Sequence, residues 1–314
     1  MARAVRYSEY GGPEVLHVQD IEVPQPGAGE VLIEVRAAGV NPIDWKIRKG
    51  LRASEPLAGP RGCGFDASGI VLQAGEGVTS LTAGDAVIGF TLDGAYASHL
   101  VAPAAKFVLK PDSLGWEEAA GFGVPGGTSY QALKSLRLAA GETIVIHGAS
   151  GAVGQVAVQL ARLWGATVIG TASEPSHARL SELGAIPVAY GEGLLERIRK
   201  AAPDGVDTVL DCAGTAEALE VSLALVADRQ RIGTIVVTPE AVESGIQAWT
   251  SSMPQYFNEE LRRLRVEAMP YLAELAARGD FEVEIAGRYP LELAAEAHRR
   301  SETGHVRGKL VLVP

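Results

Sequence analysis

The clearest chemistry in this chain of 314 residues lies in a short glycine-rich segment, Gly148-Ala149-Ser150-Gly151-Ala152-Val153-Gly154. It follows the apolar run Thr143–His147 and opens a stripe in which Val153, Val156, Ala157, Leu160, Ala161 and Trp164 recur at helical spacing. Against the dinucleotide-binding fingerprint, the glycine positions are occupied by Ala149, Gly151 and Gly154, so the first departs. Gly151 would let the backbone approach a pyrophosphate at the helix N-terminus, and Gly154 would let helix and strand pack closely. The alternative is a tight turn that binds nothing. The strand, loop, helix and second strand (166–171) supply the context that a nucleotide site requires. Two competing motifs fail: Gly148–Ala152 misses the last glycine of a nucleophile elbow by one place, and no Gly-Lys-Ser/Thr is present for a P-loop.

The end of the second strand bears on the choice of cofactor. An NAD enzyme places Asp or Glu there for the ribose hydroxyls, whereas this chain has Ala172-Ser173. Glu174 follows in the first turn of a helix that Ser173 is expected to cap, where an acid also suits the helix dipole. Without a repelling carboxylate, a 2′-phosphate could be met by Ser173, His177 and Arg179, which points to NADPH. The bland alternative is that His177 and Arg179 are solvated helix residues.

The elements that must position this loop form an alternating pattern. From about 116 to 238, strand-like runs (143–147, 166–171, 186–190, 207–211, 231–237) alternate with helical stretches, the signature of a parallel sheet covered on both faces. The first 120 residues read instead as short strands between Gly and Pro turns, an irregular β domain of barrel or sandwich type. Residues 258–278 read as a long helix, and 281–314 as strand, helix and last strand. The segment 239–257, with Trp249, Tyr256 and Phe257, has no clear period.

Composition excludes several other classes. Hydrophobic residues make up 47%, the formal charge is −10 without a polybasic segment, and Cys63 and Cys212 are the only cysteines. A disulfide scaffold, nucleic-acid binding and association with anionic membranes are therefore disfavoured, and a cytoplasmic setting is expected. The N-terminus lacks the apolar run of a signal peptide, and the uncharged stretch Thr143–Ala161 carries too many polar residues and glycines for a membrane span.

Further motifs carry a family resemblance. Gly39-Val40-Asn41-Pro42-Ile43-Asp44, Gly94-Ala95-Tyr96-Ala97, Glu117-Glu118-Ala119-Ala120, His147–Gly154 and Gly304–Leu312 resemble the zinc-independent medium-chain dehydrogenase/reductases, particularly the quinone oxidoreductases. The resemblance implies an α/β protein with a doubly wound Rossmann domain (121–264) for NADPH and a GroES-like β-barrel catalytic domain (1–120 with 265–314). It implies hydride transfer to a quinone or α,β-unsaturated carbonyl, with a homodimer as a family-based expectation. Asn41 and Thr128 match positions at the nicotinamide end, Ser150, Gly151, Ala152, Val153 and Gly154 the pyrophosphate loop, His177 a 2′-phosphate position, and Tyr190 the adenine end.

The same alignment bears on metal. Zinc-dependent relatives carry a cysteine after Gly39-Val40 and a Gly-His-Glu segment, whereas this chain has Asn41 and Gly64-Phe65-Asp66. The six histidines show no ligand spacing, so no metal is expected. Without a Lewis acid the substrate must accept hydride readily, as a quinone or conjugated enone does. Asp44 is a possible acid, though it matches a position read chiefly as structural. Where some quinone reductases carry tyrosines, this chain has Lys46 and Arg52, which with Arg48 and Lys49 form a basic cluster. The cluster is either a solvated loop or, with Trp45, part of a substrate pocket suited to an anionic or oxygen-rich molecule. The alternative to an enzyme is an NADP(H)-binding redox sensor or binding protein with little turnover.

Overall fold

The computed structural model describes residues 1–51, 56–251 and 254–314. The strands and helices are β1 (Ala2–Tyr7), β2 (His17–Ile21), β3 (Glu30–Val40), α1 (Pro42–Arg48), β4 (Arg61–Gly62), β5 (Asp66–Ala74), β6 (Ala86–Gly89), β7 (His99–Pro103), β8 (Phe107–Leu109), α2 (Trp116–Ala120) and α3 (Gly123–Ser135). They continue with β9 (Thr143–His147), α4 (Ala152–Leu163), β10 (Thr167–Ala172), α5 (His177–Glu182), β11 (Ile186–Ala189), α6 (Leu194–Ala201), β12 (Thr208–Asp211), α7 (Ala216–Leu225), β13 (Ile232–Thr234), α8 (Pro239–Glu243) and β14 (Gln247–Ala248). The last elements are α9 (Glu259–Ala277), β15 (Ile285–Pro290), α10 (Ala294–Glu302) and β16 (Lys309–Val313). The chain divides into two units, Met1–Val124 with Met269–Pro314, and Pro125–Ala268.

The first unit is built around β3. Its apolar residues Val31, Ile33 and Val35 alternate into the core, as a half-buried strand requires. One edge of β3 pairs with β5 over nearly its whole length, while the other pairs with β7 at residues 30–34 and with β16 at residues 38–40. The resulting seven-stranded sheet runs β15-β16-β3-β5-β6-β8 with β7 on β3, beside a smaller sheet β2-β1-β4. The C-terminal strand thus lies beside the Gly39-Val40-Asn41 motif: Leu310 stands opposite Val40 and Val311 opposite Gly39.

The second unit holds a six-stranded sheet of order β11-β10-β9-β12-β13-β14, parallel throughout. In order of appearance along the chain this is 3-2-1-4-5-6, the doubly wound arrangement with its switch point at β9 and β12. β9 is an unbroken apolar run because neighbours cover both of its faces, and Ile144, Val145 and Ile146 are all fully buried. The aperiodic segment 239–257 contributes α8 and the edge strand β14. Trp249 within it is core: a Cβ on Gly233 would lie 2.2 Å from its ring. The strand expected at 231–237 is limited to Ile232–Thr234, because the Thr234 hydroxyl donates to Asp211 Oδ2 (3.0 Å) and accepts from Val236 N–H (3.0 Å), turning the chain.

Candidate active site

Of the residues expected from the sequence to meet the cofactor, those after β9, β10 and β11 lie at the C-terminal ends of adjacent strands, and Thr128 lies on α3. Gly148 turns the chain out of β9 with φ of +69°, a conformation glycine adopts at no steric cost. Gly151 is the N-cap of α4. A Cβ on Gly154 would sit 2.4 Å from the Gly148 carbonyl oxygen and 2.6 Å from Ala149 Cα, so only glycine lets the helix lie this close to the turn. A Cβ at Gly151 would meet nothing nearer than the Gly148 carbonyl at 3.6 Å, which leaves the approach to the first-turn amides of Ala152, Val153 and Gly154 open. Those amides have no partner within the helix by its geometry. Ser150 is held through its carbonyl, which accepts from Gln155 Nε2 at 3.0 Å.

At the end of β10, Ser173 precedes a 3-10 turn (Glu174–Ser176) that leads into α5; its side chain makes no cap hydrogen bond there. The imidazole of His177 turns back to lie 3.3 Å from the Ala172 carbonyl oxygen, so it is drawn to the strand end instead of extending into solvent. Arg179 pairs with Glu182 at 3.4 Å. Tyr190, just past β11, is exposed. Thr128 lies buried on α3, whose next residue, Ser129, donates from its hydroxyl to the Val153 carbonyl at 2.8 Å and so holds α3 against the first turn of α4. His147 is buried at the end of β9, with Nδ1 3.1 Å from Thr171 Oγ1, and burial lowers its pKa to about 4, so the ring is neutral.

In the first unit, Asn41 and Asp44 share the first turn of α1. Pro42 sits at the first helical position, where its fixed φ and missing N–H are tolerated, and Asp44 Oδ2 accepts from the Asn41 backbone N–H at 2.8 Å. The Tyr96 hydroxyl donates to the same oxygen at 2.6 Å, and Asp44 Oδ1 has no partner. Burial raises the Asp44 pKa to about 7, against the lowering pull of those two hydrogen bonds. His298 lies beyond, its Nε2 3.3 Å from the Tyr96 hydroxyl and 4.0 Å from Cys63 Sγ; burial brings its pKa down to about 3. Burial also pushes the Cys63 thiol and the Tyr96 hydroxyl upward, so neither is poised to ionise.

Comparison with known proteins gives a consistent assignment. Residues 27–112 match the alcohol dehydrogenase GroES-like domain, and residues 183–312 match the zinc-binding dehydrogenase domain. The quinone oxidoreductase of Homo sapiens is 34% identical over 335 residues, covering all of this chain and 98% of that protein. The chain belongs to the quinone oxidoreductase family. The quinone oxidoreductase of Pseudomonas aeruginosa is also 34% identical, with full coverage of both chains. A crystal structure of Escherichia coli quinone oxidoreductase complexed with NADPH has a TM-score of 0.84 at 29% identity, again over both whole chains. The protein is accordingly an oxidoreductase with a GroES-like domain and a Rossmann-type parallel-sheet domain.

Arg48 of the basic cluster is not a solvated loop residue. Residues 42–48 are helical, and Arg48, with its side chain fully buried, donates to Glu302 of α10, which also pairs with Lys49 at 2.6 Å. The cause is helical spacing: Arg48, one turn after Asp44 on α1, meets Glu302, one turn after His298 on α10, while the Tyr96 hydroxyl stands between Asp44 and His298. Lys46 and Lys49 lie 5.5 and 5.2 Å from the centre of the Trp45 ring, a cation–π arrangement. Arg52 lies outside the described residues. The motif reading missed Asp66, Tyr96, His298 and Lys309 as neighbours of Asn41 and Asp44. Pairing of β5 and β16 with the two edges of β3 brings in Asp66 and Lys309, and packing of α10 brings in His298, none of which is written in a local pattern. Among the described residues, no group of three or more His, Cys, Asp and Glu could hold a metal ion, and no helix is long and apolar enough to cross a membrane.

Proposed function

We propose that this protein transfers hydride from NADPH to a quinone or another α,β-unsaturated carbonyl, and that it does so without zinc. The observation that carries this reading is the turn between β9 and α4. It offers open helix N-terminal amides, a glycine N-cap and a close helix approach, which together suit a pyrophosphate. The quinone oxidoreductases of known structure support the cofactor choice, since the Escherichia coli protein carries NADPH. The absence of an acid at Ala172-Ser173 agrees with it, because a carboxylate at that point would repel a 2′-phosphate.

NADPH, when bound, supplies the hydride; the quinone also takes up one proton to leave as the hydroquinone. The protein's part is to bind, orient and exclude water. The first turn of α4 holds the pyrophosphate, Ser173, His177 and Arg179 receive the 2′-phosphate, and Tyr190 borders the adenine. Asn41 and Thr128 border the nicotinamide. Trp45, Lys46 and Arg52 contribute to substrate binding. The zinc-free reading rests on side-chain chemistry, since a carboxamide at 41 and a phenyl ring at 65 replace a thiolate and an imidazole.

Mixing the protein with NADPH and a panel of ortho-quinones, para-quinones and enones tests the reading through loss of absorbance at the nicotinamide band. Turnover of at least one quinone that persists after dialysis against a chelator is the expected result. NADPH binding without oxidation by any member of the panel defeats the enzyme reading and leaves a nucleotide-binding sensor.

A further inference from the structure

Asn41 is held by a buried ion pair between Lys309 and Asp66, two residues that no motif joined to each other. Lys309, the first residue of β16, is 1% exposed, and its stem crosses over Gly39. A Cβ on Gly39 would lie 2.8 Å from Lys309 Cε and 2.2 Å from the Ala120 carbonyl oxygen, so the glycine is what gives the lysine its passage. At the end of that passage the ammonium donates to Asn41 Oδ1 and, at 3.2 Å, to Asp66 Oδ2. Asn41 Nδ2 donates to the same Asp66 oxygen at 2.8 Å, closing a ring of three side chains. Asp66 is itself pinned, accepting from the Val124 backbone N–H at 2.9 and 3.0 Å in the first turn of α3.

The ring admits one orientation of the carboxamide. Rotating it by half a turn would set its NH2 against an ammonium and its oxygen against a carboxylate, replacing two charge-assisted hydrogen bonds with two repulsions. In a site of low dielectric a dipole held this way needs no reorganisation when charge moves nearby. We propose that Lys309 and Asp66 are positioning residues of the hydride-transfer site, which lock and polarise the Asn41 carboxamide through the ring they form with it. The functional part of this inference rests on the placement of Asn41 beside the nicotinamide. Where zinc-dependent relatives have a metal-binding cysteine, position 41 here also touches a cation, one that the chain itself carries. Burial lowers the Lys309 pKa, while Asp66 and Asp44 counter that effect, so the acidic partner helps to keep the ammonium charged.

Asn41 and Asn258 are the only asparagines in the sequence, so selective 15N-asparagine labelling yields just two side-chain amide groups, each a pair of proton signals on one nitrogen. Asn258 is exposed at the start of α9 and serves as the internal reference. In the full-length protein the Asn41 amide protons are expected to exchange with solvent about 100-fold more slowly than those of Asn258. Lys309→Met should speed Asn41 exchange at least about tenfold and leave Asn258 unmoved, and Lys309→Arg should recover part of the protection. With NADPH and a quinone, Lys309→Met should lower kcat about tenfold or more while KM for NADPH stays within about threefold, again with partial rescue by Lys309→Arg. Unchanged Asn41 exchange in a folded Lys309→Met protein, or an unchanged kcat, overturns the proposal. Should that variant not fold, Asp66→Asn opens the same ring from its other side. Fast Asn41 exchange in the unsubstituted protein overturns it without any variant. If the unsubstituted protein turns over no quinone, the proposed activity fails, and the exchange measurement still decides whether the ring holds Asn41.

Discussion

Replacing Asp44 by asparagine should remove most of a pH-dependent loss of stability from the first unit. Asp44 is 1% exposed, and its Oδ2 accepts from the Asn41 N–H at 2.8 Å and from the Tyr96 hydroxyl at 2.6 Å. An asparagine oxygen can keep both hydrogen bonds and never becomes charged. The aspartate titrates near 3.8 in the unfolded chain and, raised chiefly by burial, at about 7 in the folded one. Below pH ~4 both states hold the proton and the group carries no penalty. From pH ~4 to ~7 the unfolded chain gives up its proton while the folded chain retains it, so stability falls as pH rises. A separation of about three pH units at roughly 1.4 kcal/mol each puts the total near 4 kcal/mol, an order-of-magnitude figure. Hydrogen exchange under urea, read on peptides covering α1 at fixed pH values between 4 and 8, isolates this unit from the other. The Asp44→Asn protein should gain on the unsubstituted one by about 3–4 kcal/mol between pH 4 and 8. A difference that stays flat over that range refutes the claim that the fold holds Asp44 protonated.

Three other outcomes are expected. Glu302→Ala leaves the fully buried Arg48 guanidinium without its carboxylate and should cost roughly 3–5 kcal/mol in chemical denaturation; Arg48→Met, which removes the buried charge, should cost less. Joint replacement of His177 and Arg179 by alanine should weaken NADPH binding by roughly 1–3 kcal/mol in a fluorescence titration and leave NADH nearly unaffected. Equal losses for both cofactors would point to a disturbed fold instead. Gly154→Val should abolish NADPH binding, because its Cβ would lie 2.4 Å from the Gly148 carbonyl oxygen and push α4 away from the turn; a binding constant unchanged in titration would contradict the close-packing argument.

The parts of the fold that could be read from local pattern are those buried by their immediate surroundings. β9 spans Thr143–His147 as expected, since a fully covered parallel strand is an unbroken apolar run ended here by Gly148. α4 and β16 also follow their patterns. Helix α1 was harder, because its seven residues hold Asp44, Lys46 and Arg48, and a charged stretch next to a proline reads as a loop. Arg48 is buried only because Glu302 reaches it from 254 positions away, and no local rule registers such a partner. β1 and β2 fall in the stretch read as short strands, and what pattern does not give is their pairing, which sets Val5 opposite Val18.

The features from which the proposed class of chemistry was argued are all legible in the amino-acid sequence alone. A glycine turn between an apolar strand and an amphipathic helix, no acid at 172, and neither cysteine at 41 nor histidine at 65 can be read without coordinates, because each depends on residues close along the chain. Tertiary structure decided how Asn41 is held. Its carboxamide meets Asp66, 25 positions away, and Lys309, 268 positions away, because β5 and β16 pair with the two edges of β3. That register follows from hydrogen bonding and packing summed over whole strands, so the ring around Asn41 exists only once the sheet is formed.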